Sequence, residues 1–157
     1  MRAPFFIKHR EFPLRKRVSA LFAGMALAIL SCSQMAVAQS YSAYGSTAVA
    51  PTIYTKGSWY TIAFPVVGSP PSTGLVTNVY YRWSYGTPRP SGFQVLLCNS
   101  AGVRCFDVTS APSGGVDFSG YGVAANTAIR LFVQVAGTGS MLRVQGGSSS
   151  VTVNYSY

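Results

Sequence analysis

The chain has 157 residues, a formal net charge of +9 and a hydrophobic fraction of 48%. This length is enough for one domain of ordinary size and argues against several. Half of the twelve basic residues precede residue 18, so the charge is not the basic footprint of a nucleic-acid-binding domain.

Residues 1–38 have the three parts of a secretory signal peptide. A basic start is followed by an apolar run over residues 18–30 and by small residues that end in Ala36-Val37-Ala38. The run is shorter than the ~20 residues that a membrane-spanning helix needs. We therefore predict export to the periplasm, cleavage after Ala38 and an exported chain, residues 39–157, without a spanning segment.

A second interpretation of this segment is a lipoprotein signal. Ile29-Leu30-Ser31-Cys32 resembles a bacterial lipobox, in which the cysteine becomes the acylated first residue. Leu30 fits that pattern poorly and a good A-x-A site follows. We therefore favour cleavage after Ala38 over a lipid anchor at Cys32.

Without residues 1–38, six basic and two acidic residues remain, and the formal net charge falls to +4. Such a surplus favours solubility and allows loose attraction to anionic surfaces or acidic partners. Two cysteines also remain, Cys98 and Cys105, and their even number and close spacing in an exported chain predict a disulfide. A metal pair is the alternative, but no histidine remains to complete a zinc site.

From residue 39 onward, short segments rich in β-branched and aromatic residues alternate with Gly/Pro/Ser turns. No segment has convincing helical periodicity. The pattern predicts an all-β sandwich or barrel, and we favour a single antiparallel β-sandwich of about seven to nine short strands. The predicted segments are 39–51 (a ragged edge strand), 58–64, 75–85, two arms within 93–109, 116–119, 128–136, 141–145 and 151–157.

Alternation within these segments assigns their bulky side chains to one buried face. The residues predicted to face inward are Val79, Tyr81, Trp83 and Tyr85; Ile129, Leu131, Val133 and Val135; Leu142 and Val144; and Val151, Val153, Tyr155 and Tyr157.

Residues 93–109 predict a hairpin, because two extended segments are joined by a short polar loop with one cysteine at each inner end. Pairing Cys98 with Cys105 sets a register that puts an apolar set inside and a mostly polar set outside. That register places Leu97 opposite Phe106 and Val95 opposite Val108.

Several parts of catalytic sites are missing after residue 38. There is no histidine and no glutamate, and the two acids, Asp107 and Asp117, lie on different segments. The sole lysine there, Lys56, lies in a predicted turn, where water would keep its ammonium charged. No phosphate-binding glycine motif is complete. We therefore predict no enzyme, no catalytic residues, no cofactor and no metal.

Three residues are candidates for a contact surface. Tyr80 and Arg82 alternate outward and could form an aromatic–guanidinium patch for a partner or a sugar. The alternative is that Tyr80 packs against a second sheet while the stem of Arg82 covers apolar surface. Arg89, between Pro88 and Pro90, is either a rigid recognition tip or a solvated arginine in a stiff turn.

The stretch from Val79 onward resembles the FlhE family of small exported proteins tied to the bacterial flagellum. The matching features, in order, are Tyr81-Arg82-Trp83-Ser84-Tyr85, Pro88-x-Pro90-Ser91-Gly92, Leu97-Cys98, Cys105, Phe118-Ser119-Gly120, Arg130-Leu131, Val135, Val144-Gln145 and Val151-x-Val153-Asn154-Tyr155.

This resemblance implies a non-enzymatic periplasmic β-sandwich that is associated with the flagellar type III export apparatus. It implies protein partners among flagellar export or periplasmic components, with a role in export control, in restraint of proton leakage or as a chaperone. A different class of function is a secreted carbohydrate-binding module, prompted by ten tyrosines and two tryptophans. The carbohydrate-binding class requires a flat, exposed row of aromatic side chains. A third possibility is a hydrolase, whose activity would depend on Asp107 or Asp117.

Overall fold

The computed structural model describes residues 38–157. The predicted signal peptide and the lipobox lie outside the described residues, except for Ala38. Within the described part of the chain, no helix has the length and apolar character needed to cross a membrane.

The described chain is built from short antiparallel strands, as its alternating sequence predicts. There are ten between residues 38 and 157: β1 (Tyr41–Val49), β2 (Ile53–Thr55), β3 (Tyr60–Phe64), β4 (Leu75–Arg82), β5 (Phe93–Asn99), β6 (Cys105–Asp107), β7 (Ser113–Asp117), β8 (Ile129–Val135), β9 (Ser140–Val144) and β10 (Ser148–Ser156).

These strands form two four-stranded sheets and a small two-stranded one. The first sheet has the order β1-β10-β4-β7, the second has the order β3-β8-β5-β6, and β2 pairs with β9. Each predicted segment or hairpin arm overlaps one strand, but β2 was not predicted. It has only three residues, which are too few to show alternation. β7 also begins three residues earlier than predicted, within the glycine-rich stretch before Val116.

One hydrophobic core lies between the two larger sheets. The alternation predicted for residues 75–85 and 128–136 is confirmed, because Val79, Tyr81, Trp83 and Tyr85 are buried and so are the four inward residues of β8. Trp83 follows β4 in the first sheet and its ring centroid is 5.8 Å from that of Phe93 in the second. Aromatic contacts of this kind add to the stabilisation that apolar burial provides.

The β5–β6 hairpin has the predicted register. Leu97 pairs with Phe106, and the predicted disulfide joins Cys98 to Cys105, whose Cα atoms are 4.1 Å apart. The backbone N–H of Val108 donates to the carbonyl of Val95 at 2.9 Å, so this register continues past β6. The disulfide and these backbone hydrogen bonds therefore attach β6 to β5 at the edge of the second sheet.

Two residues that are predicted to face inward, Leu142 and Tyr157, are instead exposed. Leu142 is 93% exposed, although Val144 is buried as predicted. The β2–β9 register shifts between Ile53 and Thr55, so strict alternation fails in β9 and Met141 packs against the core instead. Tyr157 lies beside Tyr155, with ring centroids 6.0 Å apart, but it is 56% exposed because the strand ends there.

Candidate protein-contact site

The two carboxylates after residue 38 lie on different sheets and have local hydrogen-bond partners. Asp107, in β6, accepts from the Thr109 backbone N–H at 2.9 Å and from the Gln94 side chain at 3.4 Å. Asp117, in β7, accepts from the Ser119 N–H at 2.7 Å. No group of three or more His, Cys, Asp or Glu that could hold a metal occurs among residues 38–157. This arrangement offers no facing pair of acids for hydrolysis.

These hydrogen bonds favour the charged forms of both acids. The Thr109 hydroxyl and then its backbone N–H hold the pKa of Asp107 below its ordinary value of 3.8. The Ser119 backbone N–H, followed by its hydroxyl, lowers the pKa of Asp117 from the same value. Both groups are therefore ionised over the neutral range, as ordinary surface acids are.

Tyr80 is one of the three predicted contact residues and lies on β4. Its side chain is 54% exposed on the outer face of the first sheet, so the alternative that it packs against the second sheet is wrong. Its ring lies over β7, where a Cβ on Gly115 would meet the ring at 2.9 Å. Tyr80 thus covers the backbone of a glycine-rich edge strand.

Arg82 and Arg89 come together at one groove. Arg82 ends β4 on its outer face, and Arg89 lies in the turn that leads from Tyr85 to β5. The groove has a volume of about 390 Å³. Its lining consists of Arg82, Trp83, Ser84, Tyr85, Arg89, Pro112 and Ser113.

The position of Arg89 is set by the turn over residues 86–92. The N–H of Gly86 donates to the carbonyl of Gln145 at 2.9 Å, which anchors the turn at its start. At its end, Gly92 has a φ of 79°, a conformation that favours glycine. The Arg89 Cζ lies 4.5 Å from the centroid of the Trp83 ring. Arg89 is therefore an exposed side chain in an anchored turn, and its guanidinium lies over the Trp83 ring.

A second groove adjoins the first through Arg89. It has a volume of about 660 Å³ and is lined by Lys56, Arg89 and Arg143, together with Met141 and Leu142 and the backbone of the 86–90 turn. Sequence reasoning missed Lys56 and Arg143 as contact candidates, because nothing in their local sequence relates them to Arg82.

We call Lys56, Arg82, Arg89 and Arg143 the basic end. They are four of the six lysines and arginines that follow residue 38, and they line two grooves that share Arg89. Of the two acids in the described residues, neither lines either groove. Positive charge in a concave surface raises the local concentration of anionic groups, so this end is suited to bind an anion-rich partner.

A third depression, of about 330 Å³, lies over the disulfide and is mainly apolar. Trp59 and Phe132 line it with their ring planes at 88° and their centroids 6.5 Å apart. Two rings in an edge-to-face arrangement do not make the flat row that a carbohydrate-binding surface requires. Tyr81 and Trp83 add nothing to such a row, because they are buried in the core.

Comparison with known proteins agrees with this fold. The family model described as flagellar protein FlhE matches residues 50–156. The flagellar protein FlhE of Escherichia coli (strain K12) is 32% identical over 132 residues, which cover 82% of this chain and 96% of that relative. A solved structure, the crystal structure of FLHE, has a TM-score of 0.61 at 25% identity and covers 73% of this chain and 96% of that chain. The resemblance drawn from the sequence is thereby confirmed: this chain belongs to the FlhE family of flagellar proteins.

Proposed function

We propose that this flagellar protein acts in the periplasm through protein contacts, without catalysing a reaction, and regulates or guards the flagellar type III export apparatus. Its effect is control of export or prevention of proton leakage, exerted as a regulator, a plug or a chaperone. The observation that carries a contact role is the basic end, which gathers four cations around two open grooves. Grooves of this kind bind a partner by charge and shape.

Export to the periplasm is supported by two independent features. Residues 1–38 have the composition of a signal peptide. The disulfide between Cys98 and Cys105 is a bond that persists in oxidising compartments such as the periplasm. A carbohydrate-binding module has less support, since Tyr81 and Trp83 lie in the core and Tyr80 is the one exposed aromatic ring of β4.

The test is a chromosomal deletion complemented by the wild-type gene or by a variant with Lys56, Arg82 and Arg143 changed to Gln. Secreted flagellar proteins are quantified in the medium, swimming is measured in soft agar, and cytoplasmic pH is followed with a ratiometric indicator. Fractionation locates the protein. We expect the deletion to disturb export, swimming or cytoplasmic pH, and the wild-type gene to restore them.

The triple-Gln variant separates a contact role from a merely structural one, because all three changed side chains lie at the surface or beside a groove. It should accumulate to the wild-type level in the periplasmic fraction but fail to complement. Normal export, swimming and pH in the deletion strain would contradict the proposal, as would recovery of the protein from the cytoplasm alone.

A further inference from the structure

We propose that the basic end binds an extended acidic segment of a partner protein, in which carboxylates alternate with small and apolar side chains. This inference rests on the proposed function only for the identity of the partner as a flagellar component. The kind of ligand follows from the residues that line the two grooves.

The two grooves are neighbours, because Arg89 lines both of them. Arg82 lies along the first groove, whereas Lys56 and Arg143 lie along the second. A chain segment that occupies both grooves would therefore meet cations in each, whereas a small anion would engage only one groove.

The side chains that line the two grooves are suited to bind carboxylates. An arginine guanidinium presents N–H groups in a planar fork that matches a carboxylate. Stacking on the Trp83 ring occupies the face of the Arg89 guanidinium, and in-plane N–H groups remain able to donate. The hydroxyls of Ser84 and Ser113 add neutral donors along the first groove. These side chains supply hydrogen-bond donors, and no aspartate or glutamate of the described residues lines either groove. The lining therefore favours a ligand that is rich in hydrogen-bond acceptors.

The second groove also presents apolar side chains to a ligand. Leu142 is 93% exposed beside Arg143 and lines the second groove, together with the half-buried Met141. An exposed leucine beside a cation buries apolar surface only when a ligand covers it. The ligand that suits this groove therefore carries apolar side chains between its acids.

A protein segment fits this end better than an anionic membrane does. The cations line concave grooves of about 390 and 660 Å³, which a narrow chain can enter. A lipid surface contacts projecting side chains, and membrane-binding surfaces combine cations with several inserted apolar residues. In the lining of these grooves, only Leu142 is a strongly exposed large apolar residue.

The experiment uses protein purified after expression of the full-length gene. The probe is a short fluorescein-labelled peptide of Glu, Leu, Ser and Gly, and the matched control peptide has Gln in place of Glu. Fluorescence anisotropy measures binding to the wild type and to the variants Arg82→Gln, Arg143→Gln and Arg104→Gln. Arg104 is an exposed arginine in the loop before β6, which lines neither groove.

We expect the acidic peptide to bind and the Gln peptide to bind much more weakly. Arg82→Gln and Arg143→Gln should each weaken binding by about fivefold, the upper range for an exposed ion pair. Arg104→Gln should leave the affinity unchanged. Binding should also weaken as salt is raised, because exposed charges are screened.

Three results would overturn the proposal. Equal binding of the Gln peptide would remove the role of charge, and an equal loss in Arg104→Gln would show unspecific attraction. Arg82- and Arg143-dependent binding to phosphatidylglycerol vesicles, with no binding of the peptide, would assign this end to the membrane. Each of these results concerns the purified protein, so it leaves the flagellar proposal standing; normal behaviour of the deletion strain would refute that proposal separately.

Discussion

The Arg89 guanidinium lies over the Trp83 ring, with 4.5 Å between Cζ and the ring centroid, and this contact joins the basic end to the hydrophobic core. Trp83 is only 2% exposed, and its indole N–H donates to the Val108 carbonyl at 3.1 Å. Val108 lies in the connection that carries the chain from the second sheet to the first. Trp83 therefore fixes both this crossing and the arginine above it.

Loss of this contact should lower stability. We expect Arg89→Ala to lower the free energy of unfolding by about 1 kcal/mol, because a cation–π contact and cover over Trp83 are lost together. Urea denaturation followed by tryptophan fluorescence measures the change. Arg82→Ala, which removes a nearby cation without such a contact, is the control and should change stability by less than about 0.5 kcal/mol. Equal losses in both variants would contradict the role given to the contact.

The disulfide should stabilise the hairpin by closing a short loop in the unfolded chain. Cys105→Ser is the cleaner test, because Cys105 is exposed whereas Cys98 is fully buried. We expect a loss of about 2 kcal/mol and a decrease in Tm of about 8 °C. Calorimetry under oxidising conditions checks this value. With reductant, the wild type should melt close to the variant; equal Tm values before reduction would argue against a stabilising bridge.

Two neighbouring glycines of β7 should differ in their tolerance of a methyl group. A Cβ on Gly114 would lie 2.9 Å from the Tyr81 hydroxyl oxygen, and one on Gly115 would lie 2.9 Å from the Tyr80 ring. Tyr81 is buried, whereas Tyr80 is exposed and can swing away. We therefore expect Gly114→Ala to cost about 1–3 kcal/mol and Gly115→Ala less than about 0.5 kcal/mol.

The measurement for this pair is thermal or urea unfolding of both variants side by side. Each variant serves as the control for the other, because both add one methyl group to the same strand. A larger loss for Gly115→Ala than for Gly114→Ala would show that the Tyr80 ring is held more firmly than the Tyr81 ring.

Acid should destabilise the domain through its two carboxylates. The folded state lowers the pKa of both Asp107 and Asp117, so it binds protons less readily than the unfolded chain does. Their stabilisation is present above the unfolded pKa, near 3.8, and is lost as the pH falls through the folded pKa. As the pH is lowered from 5 to 3, we expect Tm to fall by a smaller amount in the Asp107→Asn, Asp117→Asn double variant than in the wild type. Parallel profiles for the two proteins would contradict this assignment.

The alternation of inward and outward side chains predicted the central strands well, because only one face of each strand packs against the core. β8 illustrates this: Ile129 and Leu131 are fully buried, whereas Arg130 between them is only partly so. The register of the β5–β6 hairpin could be predicted because pairing its two cysteines also aligns the apolar residues of its two strands. Alternation failed at Leu142, where a register shift against β2 changes which residues face inward. A single sequence carries no signal for such a shift.

The basic end was only partly predictable. Arg82 and Arg89 were identified from their local context, but Lys56 and Arg143 are brought beside them by the pairing of β2 with β9 and by the contact of Gly86 with Gln145. The stacking of Arg89 on Trp83 also depends on tertiary structure, because one residue lies in a turn and the other in the core. Pairing between strands that are distant in the sequence, such as β2 and β9, cannot be obtained from a local sequence pattern.

The placement of four cations at one end of the described domain has a kinetic consequence. A charge distribution with one positive pole rotates in the field of a negative partner before the two surfaces touch. A larger fraction of collisions is then productive, and the gain is greatest at low ionic strength. For this domain, the speed of capture should therefore respond to ionic strength more steeply than the lifetime of the complex does.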